Sequence, residues 1–452
     1  VSDRRYSAVP LGWVQHADRS LAISRVQSRW AALNETAASL LRACESDGGR
    51  TLADLHAGFQ ARFGTVEPSE LAGWLDSLAQ AGLLTGDTAR AQPRPRADYR
   101  VEHVYIELLA RCNLRCVHCF MGGAPEREEE LTPAQVFTLL DDFAAHGGQY
   151  VTLSGGEPIL YRDFPAIARH VAELGLYGTV ISNGISLRQE QLQLLDRLGF
   201  NVAISVDGIT PEVNKAIRGR SPAKAIDAID RTLRLVGPDR FILSFTPVKA
   251  NIGELPKLFD FIEQRGIRRL NLSLYEAVGR AVDYTDMLTM DAADRLRLIR
   301  TVYEKAIDWI GKVEIDFNDT RNILSQFTES RASSELHPLW RGVRVTSSGE
   351  VFPSSFGAVE RFRLGNIRDT AFGALLDSEV LSTLYNDLLD RDAKTPKCRD
   401  CVWRQICRGG SVASAFCANG EIHSPDAYCD AYLAVFPQVA VTLAELAPTG
   451  PS

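Results

Sequence analysis

The chain has 452 residues, 45% of them hydrophobic and 24% charged, with a formal net charge of −7. At roughly 150 residues per domain, that is about three domains of ordinary globular protein, and it excludes a disordered, collagen-like or coiled-coil chain. The negative charge argues against a general affinity for nucleic acid. The sequence holds no run of 18 apolar residues and no apolar stretch behind Val1-Ser-Asp-Arg-Arg, so neither a membrane span nor a secretory signal is expected.

Residues 1–86 read as one unit. Ser20-Leu-Ala-Ile-Ser-Arg-Val and Arg29-Trp-Ala-Ala-Leu-Asn have strand-like composition. Helical patterns follow near 35–46, 51–63 and 68–82. In the last, Leu71, Trp74, Leu75 and Leu78 have the spacing of an amphipathic face. Asn34 offers an N-cap for the first helix, and Gly64 can end the second. A β-ribbon followed by three helices outlines a winged helix. Its common role, DNA binding, is opposed here by helices without a basic stripe. Residues 87–100, with Gln92-Pro-Arg-Pro-Arg at their centre, read as a semi-extended linker.

From Val101 the pattern alternates. Strand-like runs at 103–109, 149–153, 178–182, 201–206, 241–247 and 268–274 are separated by helical stretches at 132–145, 163–175, 187–198, 223–236 and 254–265. Six such units in order predict a parallel sheet with helices outside it. An amphipathic helix over 290–311 and a strand over 313–317 follow, closing a domain of residues 101–320. Beyond it, in 321–452, Ser347-Ser-Gly between two short strand-like pieces marks a hairpin. The rest reads as loop-rich chain that needs a staple, which metal ligation can supply.

Nine cysteines carry the chemical information. Cys44 stands alone. Cys112, Cys116 and Cys119 sit together, residues 120–397 contain none, and Cys398, Cys401, Cys407, Cys417 and Cys429 follow. Two tight groups in a chain without an export signal read as metal or cluster sites in the reducing cytoplasm. In the first group, C-x3-C-x2-C supplies three corners of a [4Fe–4S] cubane and leaves one iron open. A zinc site completed by His118, or a lone structural cluster, is the alternative.

This spacing, on the loop after the first strand, resembles the radical S-adenosylmethionine (SAM) superfamily. Its fold would be a partial (β/α)6 barrel over 101–320. Companion motifs stand at the ends of later strands, where α/β folds place their sites. They are Ser154-Gly155-Gly156-Glu157-Pro158, Ser182-Asn183-Gly184, Ser205-Val-Asp207-Gly208 and Arg218-Gly219. The resemblance implies an open iron that binds the methionine end of SAM, whose cleavage gives a 5′-deoxyadenosyl radical that takes hydrogen from a substrate. It assigns Gly155, Gly156, Glu157, Ser182, Asn183, Ser205, Asp207 and Arg218 to SAM. Glu157 would accept from the SAM ammonium, the glycines would admit the ligand, and Arg218 would pair with the SAM carboxylate. No catalytic base carries over.

Cys398-x2-Cys401-x5-Cys407, with Cys429 beyond, resembles the SPASM (twitch-like) extension of peptide-modifying radical SAM enzymes. Ser411 and Ser354 stand where that pattern has cysteine, Trp340 near a third such place, and Ser355 where some relatives carry aspartate. The resemblance therefore implies one auxiliary [4Fe–4S] cluster on Cys398, Cys401, Cys407 and Cys429, with zinc as the alternative. Cys417 and Cys44 read as buried thiols. Residues 1–86 resemble the RiPP recognition element, related to the peptide chaperone of pyrroloquinoline quinone biosynthesis. In it a leader peptide adds as a strand, which implies a groove formed by Trp30, Ala31, Leu33, Leu71, Trp74 and Leu78.

Together these imply a cytoplasmic maturase of a ribosomally synthesised peptide, using SAM and two [4Fe–4S] clusters. Its partners would be a precursor peptide and an electron donor such as flavodoxin or ferredoxin, with no membrane or nucleic acid. A C–C or C–heteroatom crosslink is the expected product. Epimerisation, decarboxylation, backbone excision, tetrapyrrole side-chain modification and a non-catalytic binding role are the alternatives.

Overall fold

A computed structural model describes residues 5–85, 100–273, 275–317, 322–328, 341–353 and 359–446. The expected linker, Arg100 apart, lies outside the described residues, as do Trp340, Ser354 and Ser355.

The N-terminal unit contains β1 (Arg5–Ala8), β2 (Leu11–His16), β3 (Arg19–Ser24), β4 (Trp30–Leu33), α1 (Glu35–Ala43), β5 (Arg50–Thr51), α2 (Leu52–Phe63), α3 (Pro68–Gln80) and β6 (Leu84–Thr85). The three expected helices are present. Asn34 caps α1 through Ala37 N, and Thr51 and Asp54 form a reciprocal capping box on α2. The sequence reading missed β1, β2, β5 and β6. Two of these are only two residues long and have no period to detect. The order β2-β3-β4 makes an antiparallel sheet with β4 at its end. β3 is buried on both faces. Ala22 packs into the unit's own core, while Leu21 and Ile23 join the core of the rest of the chain.

The barrel runs β7 (His103–Glu107), α4 (Pro133–Ala145), β8 (Tyr150–Ser154), α5 (Phe164–Glu173), β9 (Tyr177–Ser182), α6 (Gln189–Arg197), β10 (Asn201–Ser205), α7 (Pro211–Arg218), α8 (Ala223–Val236), β11 (Phe241–Phe245), α9 (Leu255–Arg265), β12 (Arg269–Leu272), α10 (Thr285–Leu288), α11 (Ala292–Asp308) and β13 (Glu314–Phe317). All the expected strands are parallel neighbours, and α7 is an unexpected helix between β10 and α8. The sheet stays open. It continues past β7 into β14 (Gly342–Val345), β15 (Glu350–Pro353) and β16 (Gly365–Asn366). β14 and β15 form the expected hairpin, and β14 lies parallel to β7. A buried ion pair clips this join, with Arg344 Nε donating to Glu107 Oε1 at 2.5 Å.

The C-terminal segment is not loop-rich. Its helices include Glu379–Leu389, Val412–Asn419 and Cys429–Leu446. The last is long and apolar enough to cross a membrane by length and composition. It packs on α11 and on the β2-β3-β4 sheet, burying Tyr432, Val435, Phe436 and Val439. A helix covered on two sides is apolar nearly all round, and Pro437 interrupts it, so the amphipathic period that announces a helix is absent.

Candidate active site

The barrel's strand ends open on one cavity of about 480 Å³. Cys112, Cys116 and Cys119 line it, together with Gly155, Gly156, Ser182, Asn183, Ser205 and Arg218. Residues as far apart in sequence as Cys112 and Arg218 thus meet because successive parallel strands end at the same level. Glu157 and Asp207 are not on its wall. They stand directly behind it, 1% and 0% exposed.

Gly155 and Gly156 serve the loop as well as the cavity. A Cβ on Gly155 would meet Leu109 O at 2.5 Å, and one on Gly156 would meet Arg111 O at 2.3 Å. Gly155 also has φ +128°. Only glycine lets the end of β8 press against the chain that enters the cysteine loop. Their expected role, admitting the ligand, is therefore joined by a packing role that the motif did not reveal.

Glu157 accepts from Ser182 Oγ and from Asn183 N, each at 2.8 Å. Burial pushes its pKa up to about 7 in spite of these donors. It is turned toward the end of β9, where it fixes Ser182 and Asn183. Asn183 in turn donates to Asn113 Oδ1 at 2.7 Å inside the cysteine loop.

Asp207 ties three elements together. Its Oδ2 lies 2.5 Å from Arg218 Nε and 3.1 Å from His118 Nε2, and its Oδ1 accepts from Thr246 N at 2.7 Å. Burial acts to raise its pKa, but Arg218 and His118 outweigh burial and hold the carboxyl well below its usual range. Arg218 ends α7, where Gly219 closes the helix at φ +75°. Val117 N donates to Ile217 O at 2.8 Å, so α7 also holds the cysteine loop.

The residues fit a three-cysteine cluster and a SAM-sized ligand. Burial pushes the thiols of Cys112 and Cys116 up to about 11 and about 12, so ligation must displace their protons. Two buried polar atoms of cavity-lining residues have no hydrogen-bond partner, His118 Nδ1 and Tyr275 Oη. An orphaned polar atom at a cavity is what a polar ligand would satisfy. Tyr275, Tyr105 and Arg344 were missed in the sequence. Tyr105 could have been found, because it alternates with the apolar residues of β7 and so points inward.

The second cysteine group has little space beside it. Cys398, Cys401, Cys407 and Cys429 surround a cavity of about 30 Å³ that Trp403, Tyr432 and Phe436 also line. Directly after Cys407, Arg408, Gly409 and Gly410 all have positive φ. Arg391, fully buried, holds that turn by donating to Gly409 O at 2.8 Å and Ser424 O at 2.7 Å. Ser411 has a local task, since it caps the helix Val412–Asn419 through Ser414 N. Ala413, two residues on, reaches the wall of the large cavity.

Two expectations need correction here, the burial of Cys417 and the set of groove residues. Cys417 is exposed, not buried, because it falls in the last turn of a short helix whose first turn is buried and whose end reaches the surface. Cys44 is buried as expected. Of the expected groove residues, Leu33, Leu71 and Leu78 belong to the N-terminal unit's core. Trp30 is turned to Phe327, donating from Nε1 to its carbonyl at 2.9 Å. An amphipathic stripe cannot by itself separate core from groove. Ala31 and Trp74 remain half-buried.

The sequence profile of the radical SAM superfamily matches residues 106–277. Among curated proteins, Fe-coproporphyrin III synthase of Methanosarcina barkeri is 26% identical over 392 residues, covering 81% of this chain and 95% of that protein. PqqA peptide cyclase of Rhizobium meliloti is 25% identical over 356 residues, covering 76% and 90%. Among solved structures, SuiB of Streptococcus suis bound to precursor peptide SuiA aligns at a TM-score of 0.56 with 16% identity, covering 94% of this chain and 99% of that one. The fold is thus shared across nearly the whole length. The profile match, over the residues that carry the parallel barrel and the three-cysteine loop, makes residues 106–277 a radical SAM domain.

Proposed function

We propose that this enzyme matures a ribosomally synthesised precursor peptide and forms a C–C or C–heteroatom crosslink in it. Bound to Cys112, Cys116 and Cys119, the cluster with SAM supplies a hydrogen-abstracting radical. The chain's own residues hold SAM: Ser182, Asn183, Ser205 and Arg218 at the cavity wall, with Glu157 and Asp207 fixing them from behind. Cys398, Cys401, Cys407 and Cys429 hold an auxiliary [4Fe–4S] cluster. Among the described residues no three Cys, His, Asp or Glu side chains converge as a single-ion site. The sequence spacing Cys398-x2-Cys401-x5-Cys407 with Cys429 beyond, which resembles the SPASM pattern, favours the cluster over zinc.

The observation that carries the peptide reading is the N-terminal unit. β4 is an end strand, and no strand pairs with its outer edge among the described residues. A leader can add there by backbone hydrogen bonds, beside Ala31 and Trp74. The same sheet is fastened to the second cysteine segment, with Ser28 Oγ donating to Gln405 O at 2.6 Å and Gln405 Nε2 to Arg25 O at 3.0 Å. A leader held at β4 would therefore be held in register with the catalytic chain and at high local concentration. We place the enzyme in the cytoplasm, where free thiols persist, with a flavodoxin or ferredoxin as electron donor.

Similarity to Fe-coproporphyrin III synthase supports a second reading, tetrapyrrole side-chain modification, in which β4 would have no occupant. One experiment separates the two. The anaerobically reconstituted enzyme is incubated with SAM, a reductant and the short peptide encoded beside its gene, and the peptide is weighed. Loss of two hydrogens that depends on the leader supports the crosslink. An unchanged mass with deuterium taken up from heavy water points to epimerisation, and neither change overturns the peptide reading for that substrate.

A further inference from the structure

Arg280 lies on the turn Gly279–Tyr284 that follows β12, at the other end of the row of barrel strands from the cysteine loop's own strand. It nevertheless grips that loop. Its Nη1 donates to Cys116 O at 3.0 Å, and its Nη2 to Gly122 O at 3.1 Å and Gly123 O at 2.9 Å. Its backbone N–H donates to Cys119 O at 3.1 Å. Gly279 makes the approach possible, since at φ +60° a Cβ there would meet Phe120 O at 2.2 Å.

All these acceptors are neutral carbonyls. No carboxylate of the described residues lies within ion-pair distance of Arg280, although its side chain is half-buried. Glu126 feels its charge but is clasped through both oxygens by Arg115. A guanidinium drawn partly out of water without an acid is costly unless another negative group stands near. Three cysteine thiolates around an oxidised [4Fe–4S] core carry a net charge of about −1, and about −2 once reduced.

We propose that Arg280 is a positioning residue and the counter-charge of the cluster on Cys112, Cys116 and Cys119. It fixes the loop's carbonyls, and its charge favours the reduced cluster, the state from which SAM is cleaved. This rests on the reading of those cysteines as cluster ligands. The chemistry it affects is the uptake of one electron by the cluster from an external reductant.

The test uses the full chain, anaerobically reconstituted, as wild type, Arg280→Lys and Arg280→Gln. Each is titrated with dithionite in the presence of SAM, and the reduced-cluster resonance that shifts on adding SAM is followed. At a fixed potential, Arg280→Gln should hold about tenfold less reduced cluster than wild type, and Arg280→Lys should recover most of that loss. A cluster that assembles in the lysine variant but not in the glutamine variant supports the same conclusion. Equal reduction in glutamine variant and wild type, an equal loss in both variants, or no cluster in either variant overturns the counter-charge. If the wild type itself lacks a SAM-shifted resonance, the cluster reading has failed and Arg280 falls with it.

Discussion

The two cysteine groups differ in what surrounds them more than in what they contain. Three cysteines in the barrel loop face a cavity of about 480 Å³, whereas four in the C-terminal segment enclose about 30 Å³ behind Trp403, Tyr432 and Phe436. The first loop is held by Arg280, by Ile217 O and, at the cavity wall, by Asn183, and its cysteines still face open space. The second is braced from within, by buried Arg391 and by Asp426, which accepts from Ser411 N at 2.7 Å. Three cysteines beside a large cavity leave room for a further ligand, whereas four with little space beside them leave none.

The sharpest way to break this contrast is to remove one thiol from each. Cys116→Ala should abolish SAM cleavage, measured as 5′-deoxyadenosine released. Cys407→Ser should leave part of that cleavage while bound iron falls from about eight to about four atoms per chain. Equal loss of cleavage in both variants would mean that the second site is not merely a staple.

The buried charges come next. Arg344→Met strands the Glu107 carboxylate at the join between barrel and hairpin, and should cost ~3–5 kcal/mol in denaturant unfolding. Asp207→Asn strands Arg218 at a similar cost. Because Asp207 has a depressed pKa in the folded chain, its contribution is present above the ordinary carboxylate value, ~3.9. It is lost as pH falls through the folded value. The stability gap between wild type and Asp207→Asn should therefore narrow as the pH is lowered below ~4. A gap that widened on acidification would sink the assignment. The smallest effect belongs to the capping box of α2, where Thr51→Ala should cost ~1 kcal/mol without altering cleavage.

Much of this molecule was legible because its periods are clean. The barrel strands lie where alternating apolar runs placed them. Of the residues expected to meet SAM, Gly155, Gly156, Ser182, Asn183, Ser205 and Arg218 line the cavity. Glu157, expected to accept from the SAM ammonium, and Asp207 are instead buried behind it. What escaped lacked a local signal. The two-residue strands β5 and β6 are defined only by pairing with β1. The helix Cys429–Leu446 hides its period because it is covered on two sides. Leu71 and Leu78 looked like a groove because core and groove share one apolar stripe.

The sequence by itself determined the pattern that points to the chemistry, because residue type and spacing are local: Cys112, Cys116 and Cys119 in eight residues, a glycine pair, and four cysteines near the C-terminus. Only the tertiary structure decided which groups face space and which are spent. It turned Glu157 toward Ser182, sent Trp30 to Phe327, put Ser411 on a helix cap, and carried Arg280 across the barrel to the cysteine loop. Those contacts join residues far apart in sequence, and their energy depends on burial and on partners that no local pattern encodes.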